Sequence, residues 1–336
     1  MFILFSFLGL VAIGVAYQAV GTAYDQRRYP APGRSIEAET GRLHLHCQGV
    51  GEPAVVLEAG LAATSLSWSY VQPEVAKFTR VCSYDRAGLG WSEAGRAPRT
   101  VEAMVAALKL LLQNAGIRGP FILVGHSFGG LVIRAYAASY PEEVAGLVFV
   151  DPVSLAYWGA CSEGERRRLA VGTKLSRRGA WLARLGVVRF ALAALAAGGR
   201  RIPKLIARSA AGRATGFAER LVGEIRKLPE QALPLVRSHW SRAKSFDAMA
   251  ATLQSLPENA RAVLEMEIPP EIPIAVLSAS SATEQEIVER DRWVQQCRGG
   301  QHLRLSDCGH WLPLERPEEI VSVIREMVEG LRPGRG

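Results

Sequence analysis

Short apolar runs alternate along the chain with longer stretches whose apolar residues recur at helical spacing, and the two patterns predict different elements. Val55–Glu58, Ile122-Leu123-Val124, Leu147–Val150 and Ile272–Leu277 read as buried strands. Between them, Val101, Met104, Val105, Leu108, Leu111 and Leu112 share one face of a helix over 101–114. Thr100 is placed to cap its first turn and Gly116 to stop it. A last helix, 317–329, turns Ile320, Val321, Val323, Ile324, Met327 and Val328 inward. Such alternation predicts an α/β fold with a mostly parallel sheet covered on both sides. Leu43-His44-Leu45-His46 alternates as a first strand, with both histidines on one face at an edge or surface.

The strand signals stop after Asp151 and resume at Ile272. The intervening stretch is rich in Ala, Leu and Arg and is broken by Gly198-Gly199, Pro203, Pro229 and Pro234, which predicts a helical cap over 154–270. The core accordingly divides into 40–153 and 271–331. At the other end, Met1 to Tyr24 carries no charged side chain. Twenty helical residues at ~1.5 Å each reach the ~30 Å of a bilayer's hydrocarbon layer, so 1–24 predicts an uncleaved, single-pass anchor. Gly21-Thr22-Ala23 offers a competing signal-peptide cleavage site, although the basic n-region of such a signal is missing. Arg27 and Arg28 favour the cytoplasmic side for that flank and for the domain behind it, and 25–39, with Pro30, Pro32 and Gly33, reads as a linker.

The 336 residues, 49% hydrophobic, suffice for one large core plus an insertion. Charge is unevenly spread. From Leu155 to Ser245 there are 19 Lys and Arg against 5 Asp and Glu, a local +14, while the whole chain carries +8 and the remainder therefore −6. Arg166-Arg167-Arg168, Arg177-Arg178 and Arg200-Arg201 interleave with apolar stretches such as 187–197. That pattern fits either a solvated cationic face or contact with anionic lipid headgroups. No recognition motif for nucleic acid accompanies the charge. The five cysteines form no C-x-x-C pair, which predicts neither a disulfide framework nor a zinc site and fits a reducing compartment. No cofactor or metal is implied.

The chemistry concentrates in Phe121-Ile-Leu-Val-Gly-His-Ser-Phe-Gly-Gly-Leu-Val-Ile-Arg134. A serine held on a sharp strand-to-helix turn needs residues without side chains two places before and after it, and Gly125 and Gly129 flank Ser127 in that way. A hydroxyl also needs a base. His310 follows Gly309 between a short alternating strand and the final helix, where a base would stand. His126 packs beside the nucleophile, and His239 and His302 read as solvated or hydrogen-bonded side chains.

Several segments in order resemble the serine-nucleophile branch of the α/β-hydrolase superfamily, with its esterases and lipases. They are Val55-Val-Leu-Glu-Ala-Gly-Leu61, Val81-Cys-Ser-Tyr-Asp-Arg-Ala-Gly-Leu-Gly-Trp-Ser92, the Ser127 turn, Val148-Phe-Val-Asp-Pro152 and Gly309-His310. The resemblance implies an oxyanion hole from the N–H groups of Phe128 and Leu61, with Ala59-Gly60 standing where the family usually has His-Gly. The usual acid after the penultimate strand is missing, since Ser280–Glu286 offers no aspartate. Asp151 stands where some relatives place it instead, with Glu286, Glu284 and Asp291 as alternatives, while Asp307 reads as a loop cap and Asp85 as structural.

The expectation is therefore a serine hydrolase that cleaves a hydrophobic or lipid-like ester through an acyl-enzyme, with Ser127, His310 and Asp151 as its working residues. Lactone, thioester or amide cleavage, or a catalytically silent membrane-bound binding module, are the alternatives. A serine at the turn argues against the aspartate-nucleophile epoxide hydrolase and dehalogenase branches.

Overall fold

The computed structural model describes residues 2–39, 41–95, 98–196 and 227–332. Its strands are β1 (Arg34–Ala38), β2 (Gly41–Gln48), β3 (Ala54–Glu58), β4 (Val81–Tyr84), β5 (Phe121–His126), β6 (Val144–Val150), β7 (Ile274–Ser278) and β8 (Gln301–Arg304). They form one sheet in the order β1-β2-β4-β3-β5-β6-β7-β8. Every pairing from β4 to β8 is parallel, while β1 and β2 enter antiparallel at one edge. The central strands read as unbroken apolar runs because both faces are covered. Along β5, Phe121 and Leu123 join one core cluster and Ile122 and Val124 the other.

On the first face lie α3 (Val101–Asn114) and α4 (Phe128–Ser139), together with α10 (Glu284–Gln295), which contributes Trp293. The opposite face is closed by α2 (Gln72–Val75) and α12 (Pro317–Leu331), preceded by the single turn α11 (Leu312–Glu315). The expected inward residues of α3 and α12 are all buried, and Thr100 caps α3 by accepting from the Ala103 N–H. Inserted after β6 are α5 (Leu155–Gly159), α6 (Glu163–Arg184), α7 (Val187–Ala196), α8 (Leu233–Trp240) and α9 (Ala243–Leu264). This is the predicted helical insertion. Its basic pair Arg200-Arg201 and its Gly198-Gly199 break lie outside the described residues. The N-terminal helix α1 spans Phe2–Arg28 and could serve as a membrane anchor by its length and composition.

Three expectations change. The segment read as a linker is partly structured: α1 continues to Arg28, and β1 pairs with β2 through residues 34–38, so the core begins before residue 40. An exposed strand of polar residues carries too little hydrophobic alternation to be seen without its partner. His44 is buried rather than at an edge, because β2 is paired on both sides. Its Nδ1 lies 3.0 Å from Asp85 Oδ2 and its Nε2 meets the Pro32 carbonyl. Asp85 also accepts from the Ser65 and Trp91 N–H groups at 2.7 and 3.0 Å, consistent with its structural reading. A side chain at Gly90, where φ is +48°, would run into that carboxylate.

The third change concerns the cysteines. Cys47 and Cys82 stand opposite each other in the β2–β4 register and are joined by a disulfide, with Cα atoms 4.0 Å apart. Pairing across strands, between cysteines 35 residues apart, leaves no local spacing signal in the chain. Cys161, Cys297 and Cys308 are free. Thiol labelling of denatured, unreduced protein should therefore modify three cysteines, rising to five after reduction; five without reductant would contradict the bond.

Candidate active site

Ser127 follows β5 and serves as the N-cap of α4 with φ +54° and ψ −117°, a conformation unfavourable for any residue with a Cβ. The turn is held from neighbouring strands: the Ser127 N–H donates to Val150 O, and its carbonyl accepts from Gly130 and Val153. A Cβ on Gly125 would lie 2.6 Å from the Gly129 carbonyl oxygen, and one on Gly129 would collide with the Glu58 carbonyl. The two glycines are thus required by close backbone approach rather than by flexibility.

One strand over, Asp151 ends β6 with φ +41° and is pinned by donating its N–H to Leu277 O at 2.7 Å. His310 arrives from the loop after β8. Its Nε2 lies 2.9 Å from Ser127 Oγ and its Nδ1 lies 2.6 Å from Asp151 Oδ2. A carboxylate can only accept, so Nδ1 carries the proton and Nε2 is left to accept from the serine hydroxyl. That loop is fixed from several sides. Glu315 accepts from the Gly309 and Trp311 N–H groups, Ser280 Oγ donates to Cys308 O, and His126 Nε2 donates to His310 O at 2.8 Å.

The alternative acids stand elsewhere. Glu286 forms a capping box with Thr283 at the start of α10 and is half-buried there. Glu284 lies in the same first turn, and Asp291 pairs with His302 and Arg304. Capping explains the acidic residues after Thr283 without any role beside His310.

Comparison with known proteins identifies the family and the fold. The alpha/beta hydrolase family matches residues 55–323, most of the chain. The chain belongs to this family. Among curated relatives, an AB hydrolase superfamily protein of Gibberella zeae is 38% identical over 104 residues, 30% of this chain and 32% of that protein. Lipase LipV of Mycobacterium tuberculosis is 39% identical over 111 residues, 33% of this chain and 41% of the lipase. The chain spans less than half the length of these relatives. Two solved structures share the fold, each covering 89% of this chain and 99% of its own: the epoxide hydrolase CorEH at TM-score 0.64 and 18% identity, and an esterase from Thermogutta terrifontis at 0.59 and 22%.

Within this family fold, the loop Ala59–Ala62 leaves β3 beside the serine, since a Cβ on Gly60 would lie 3.5 Å from Ser127 Cβ. Arg86 lies beneath it and donates to Ala59 O at 2.6 Å and to Gly60 O. Because C=O and the following N–H point oppositely across a trans peptide, gripping Gly60 O turns the Leu61 N–H away from Arg86. Phe128 is the first residue of α4, so its N–H has no acceptor within the helix. Glu58 and Arg86 form a buried ion pair, to which Tyr84 adds its hydroxyl. Burial pushes the Glu58 carboxyl upward, and Arg86 and Tyr84 oppose that shift.

Two participants escaped the sequence reading. Arg290, on α10, is buried and donates to Asp151 Oδ1 at 2.9 Å, to Ser278 Oγ at 2.8 Å and to Pro152 O. Burial alone would raise the Asp151 pKa; the His310 hydrogen bond and the charges of His310 and Arg290 outweigh it and bring it down to about 2. Glu315, which clamps the His310 loop, is the other. Neither lies in a motif, and only their burial against the site distinguishes them from ordinary surface charges.

Arg290→Gln should lower stability by about 3–5 kcal/mol in urea denaturation, because it leaves a buried carboxylate short of a cation, and Arg290→Lys should recover part of the loss. Wild-type stability for Arg290→Gln would contradict a buried Asp151–Arg290 ion pair. Acid sensitivity follows from depressed pKa values. Burial, with the nearby His310, brings His126 from an ordinary 6.5 down to about 3. The unfolded chain therefore binds a proton there that the folded chain refuses, so this stability is complete above pH 6.5 and is lost as pH falls toward 3. Asp151 adds a further loss between 3.8 and about 2. The urea midpoint should fall as pH is lowered from 6.5 to 3, and a rise over that interval would contradict the burial of a neutral His126.

Proposed function

We propose that this protein is a serine hydrolase that cleaves a carboxylic ester through an acyl-enzyme. The observation that carries the reading is the unbroken hydrogen-bond chain from Ser127 Oγ through both His310 nitrogens to Asp151 Oδ2. As Ser127 Oγ bonds to the ester carbonyl carbon, its proton passes to His310 Nε2. The imidazolium formed is stabilised by Asp151, whose second oxygen is already held by Arg290 and the Ala279 N–H. Negative charge gathers on the former carbonyl oxygen, to which the Phe128 and Leu61 N–H groups donate. Collapse breaks the bond to the alkoxide, which takes the proton back from Nε2. Water then repeats the sequence on the acyl-enzyme, releasing acid and restoring Ser127.

The substrate side of this reading is a small hydrophobic or lipid-like ester, supported by an apolar roof. Leu61 packs with Phe246, Met249 and Leu253 of the cap, and Trp311 packs with Leu228 and Val236. The proposed partner surface is a membrane, reached through α1 and the basic cap. Arg27 and Arg28 favour a cytoplasmic domain, whereas the Cys47–Cys82 bond favours an oxidising compartment, and the covalent bond is the stronger signal because cytoplasmic thiols are kept reduced.

A fluorophosphonate probe should label the wild type and not Ser127→Ala, and absence of labelling on folded wild-type protein would favour a silent binding module. Hydrolysis of p-nitrophenyl esters should fall by about three to four orders of magnitude in Asp151→Asn and stay near wild type in Glu286→Gln; the reverse pattern would displace Asp151 as the acid.

A further inference from the structure

The N-terminal helix is not a free tether. Gly14, Gln18, Gly21, Thr22 and Asp25 recur every three or four residues and so form one face of α1. That face is docked on the cap. A Cβ on Gly14 would strike the Leu185 carbonyl, at the corner where α6 bends 86° into α7, and a Cβ on Gly21 would lie 2.7 Å from Arg189 Cδ. Arg189, on α7, donates to Gln18 Oε1 at 3.0 Å, Asp25 Oδ2 at 2.7 Å, Thr22 Oγ1 at 3.3 Å and Ser241 Oγ at 2.8 Å. Gln18 Nε2 in turn donates to Ser241 O. Both members of the Asp25–Arg189 pair are nearly withdrawn from solvent, at 11% and 12% side-chain exposure. Pulling α1 off the cap would break this ion pair and the hydrogen bonds of Gln18 and Thr22 together. The chain just beyond is tied down as well, since Trp91 Nε1 donates to Tyr29 O and His44 meets Pro32 O.

With residues 14–28 docked, only Phe2–Ile13 projects freely, and twelve helical residues reach ~18 Å, well short of a ~30 Å hydrocarbon layer. Apolar side chains nonetheless face outward along the helix: Phe5, Leu8, Leu10 and Ile13 on the free part, Val20 and Tyr24 on the docked part. Beside the α6–α7 corner, Trp181 and Phe190 are 67% and 62% exposed, and Arg184 lies 5.5 Å from the Trp181 ring. A tryptophan with an adjacent arginine suits the headgroup boundary, where an apolar body and a charged group are both accommodated.

We propose that the protein is monotopic. In this arrangement α1 lies along the bilayer surface, its outward apolar side chains and the α6–α7 corner enter a single leaflet, its N-terminus stays on the side of the hydrolase domain, and the ester substrate is taken from the lipid phase. The substrate clause rests on the ester-hydrolase reading above; the docking geometry does not. The route to the site is short in the fold: Ser241, gripped by Gln18 and Arg189, ends α8, whose Val236 packs with Trp311 beside His310 and whose Trp240 packs with Leu61.

The test uses the full chain with a peptide tag on its N-terminus, in right-side-out and inverted membrane vesicles from expressing cells. Protease should reach the tag in whichever vesicles expose the hydrolase domain; a tag protected there until detergent is added means that α1 crosses, and overturns the proposal. A second arm compares a long-chain ester presented in phosphatidylcholine–phosphatidylglycerol vesicles with p-nitrophenyl acetate in solution. The double substitution Trp181→Asp, Phe190→Asp should reduce hydrolysis of the vesicle ester about tenfold or more relative to the soluble one. Equal losses on both esters, or no loss on either, overturn the membrane surface. If the wild type cleaves neither ester, the ester-hydrolase reading fails while the position of the tag still decides how α1 lies.

Discussion

The register of β5, β6 and β7 governs the site. Ser127 and Asp151 both sit in left-handed backbone conformations at strand ends, and each is held there by donating its N–H to the adjacent strand, Ser127 to Val150 and Asp151 to Leu277. A positive φ in a residue with a side chain costs free energy that local sequence does not return. The parallel ladder supplies the compensation, because neither turn can relax without breaking sheet pairing. The hydroxyl and the carboxylate are thereby fixed on neighbouring strands before His310 is considered, and the imidazole only has to be brought between them.

That delivery depends on charge placed underneath the chemistry. Arg290 neutralises Asp151 from behind, and Arg86 does the corresponding work for Glu58 while gripping the carbonyls of Ala59 and Gly60. Each arginine satisfies several acceptors at once, as its planar fork of five N–H donors permits. Both are buried among groups that would otherwise be unpaired. The outer layer follows the same logic at Arg189, where one guanidinium joins α1, α7 and the residue that ends α8.

Much of this was legible in the chain. The strand–turn–helix around Ser127 could be read because its glycines answer a steric demand that is local, and Gly309-His310 because its place between a strand and the last helix is fixed by element order. Asp151 could be preferred by its place at a strand end, but Glu286 stayed an alternative in the chain alone, and only the fold shows it capping Thr283. His44 was misplaced for want of one neighbour: with β1 hidden in a polar stretch, β2 resembled an edge. The Cys47–Cys82 pair was invisible for the same reason, being a consequence of which strands lie side by side.

By itself the sequence determined the periodicities, and through them the parallel core, the helical insertion, the apolar N-terminal helix and the residues proposed as nucleophile and base. These are local properties, set by spacing along the chain and by the sterics of single residues. Tertiary structure decided which acid faces His310, which arginines lie beneath the site, which cysteines meet, and that α1 is fastened to the cap by half its length. Each of those is a contact between segments far apart in the chain, where burial removes water as the competing partner and a charge or thiol takes whichever group the fold has put beside it.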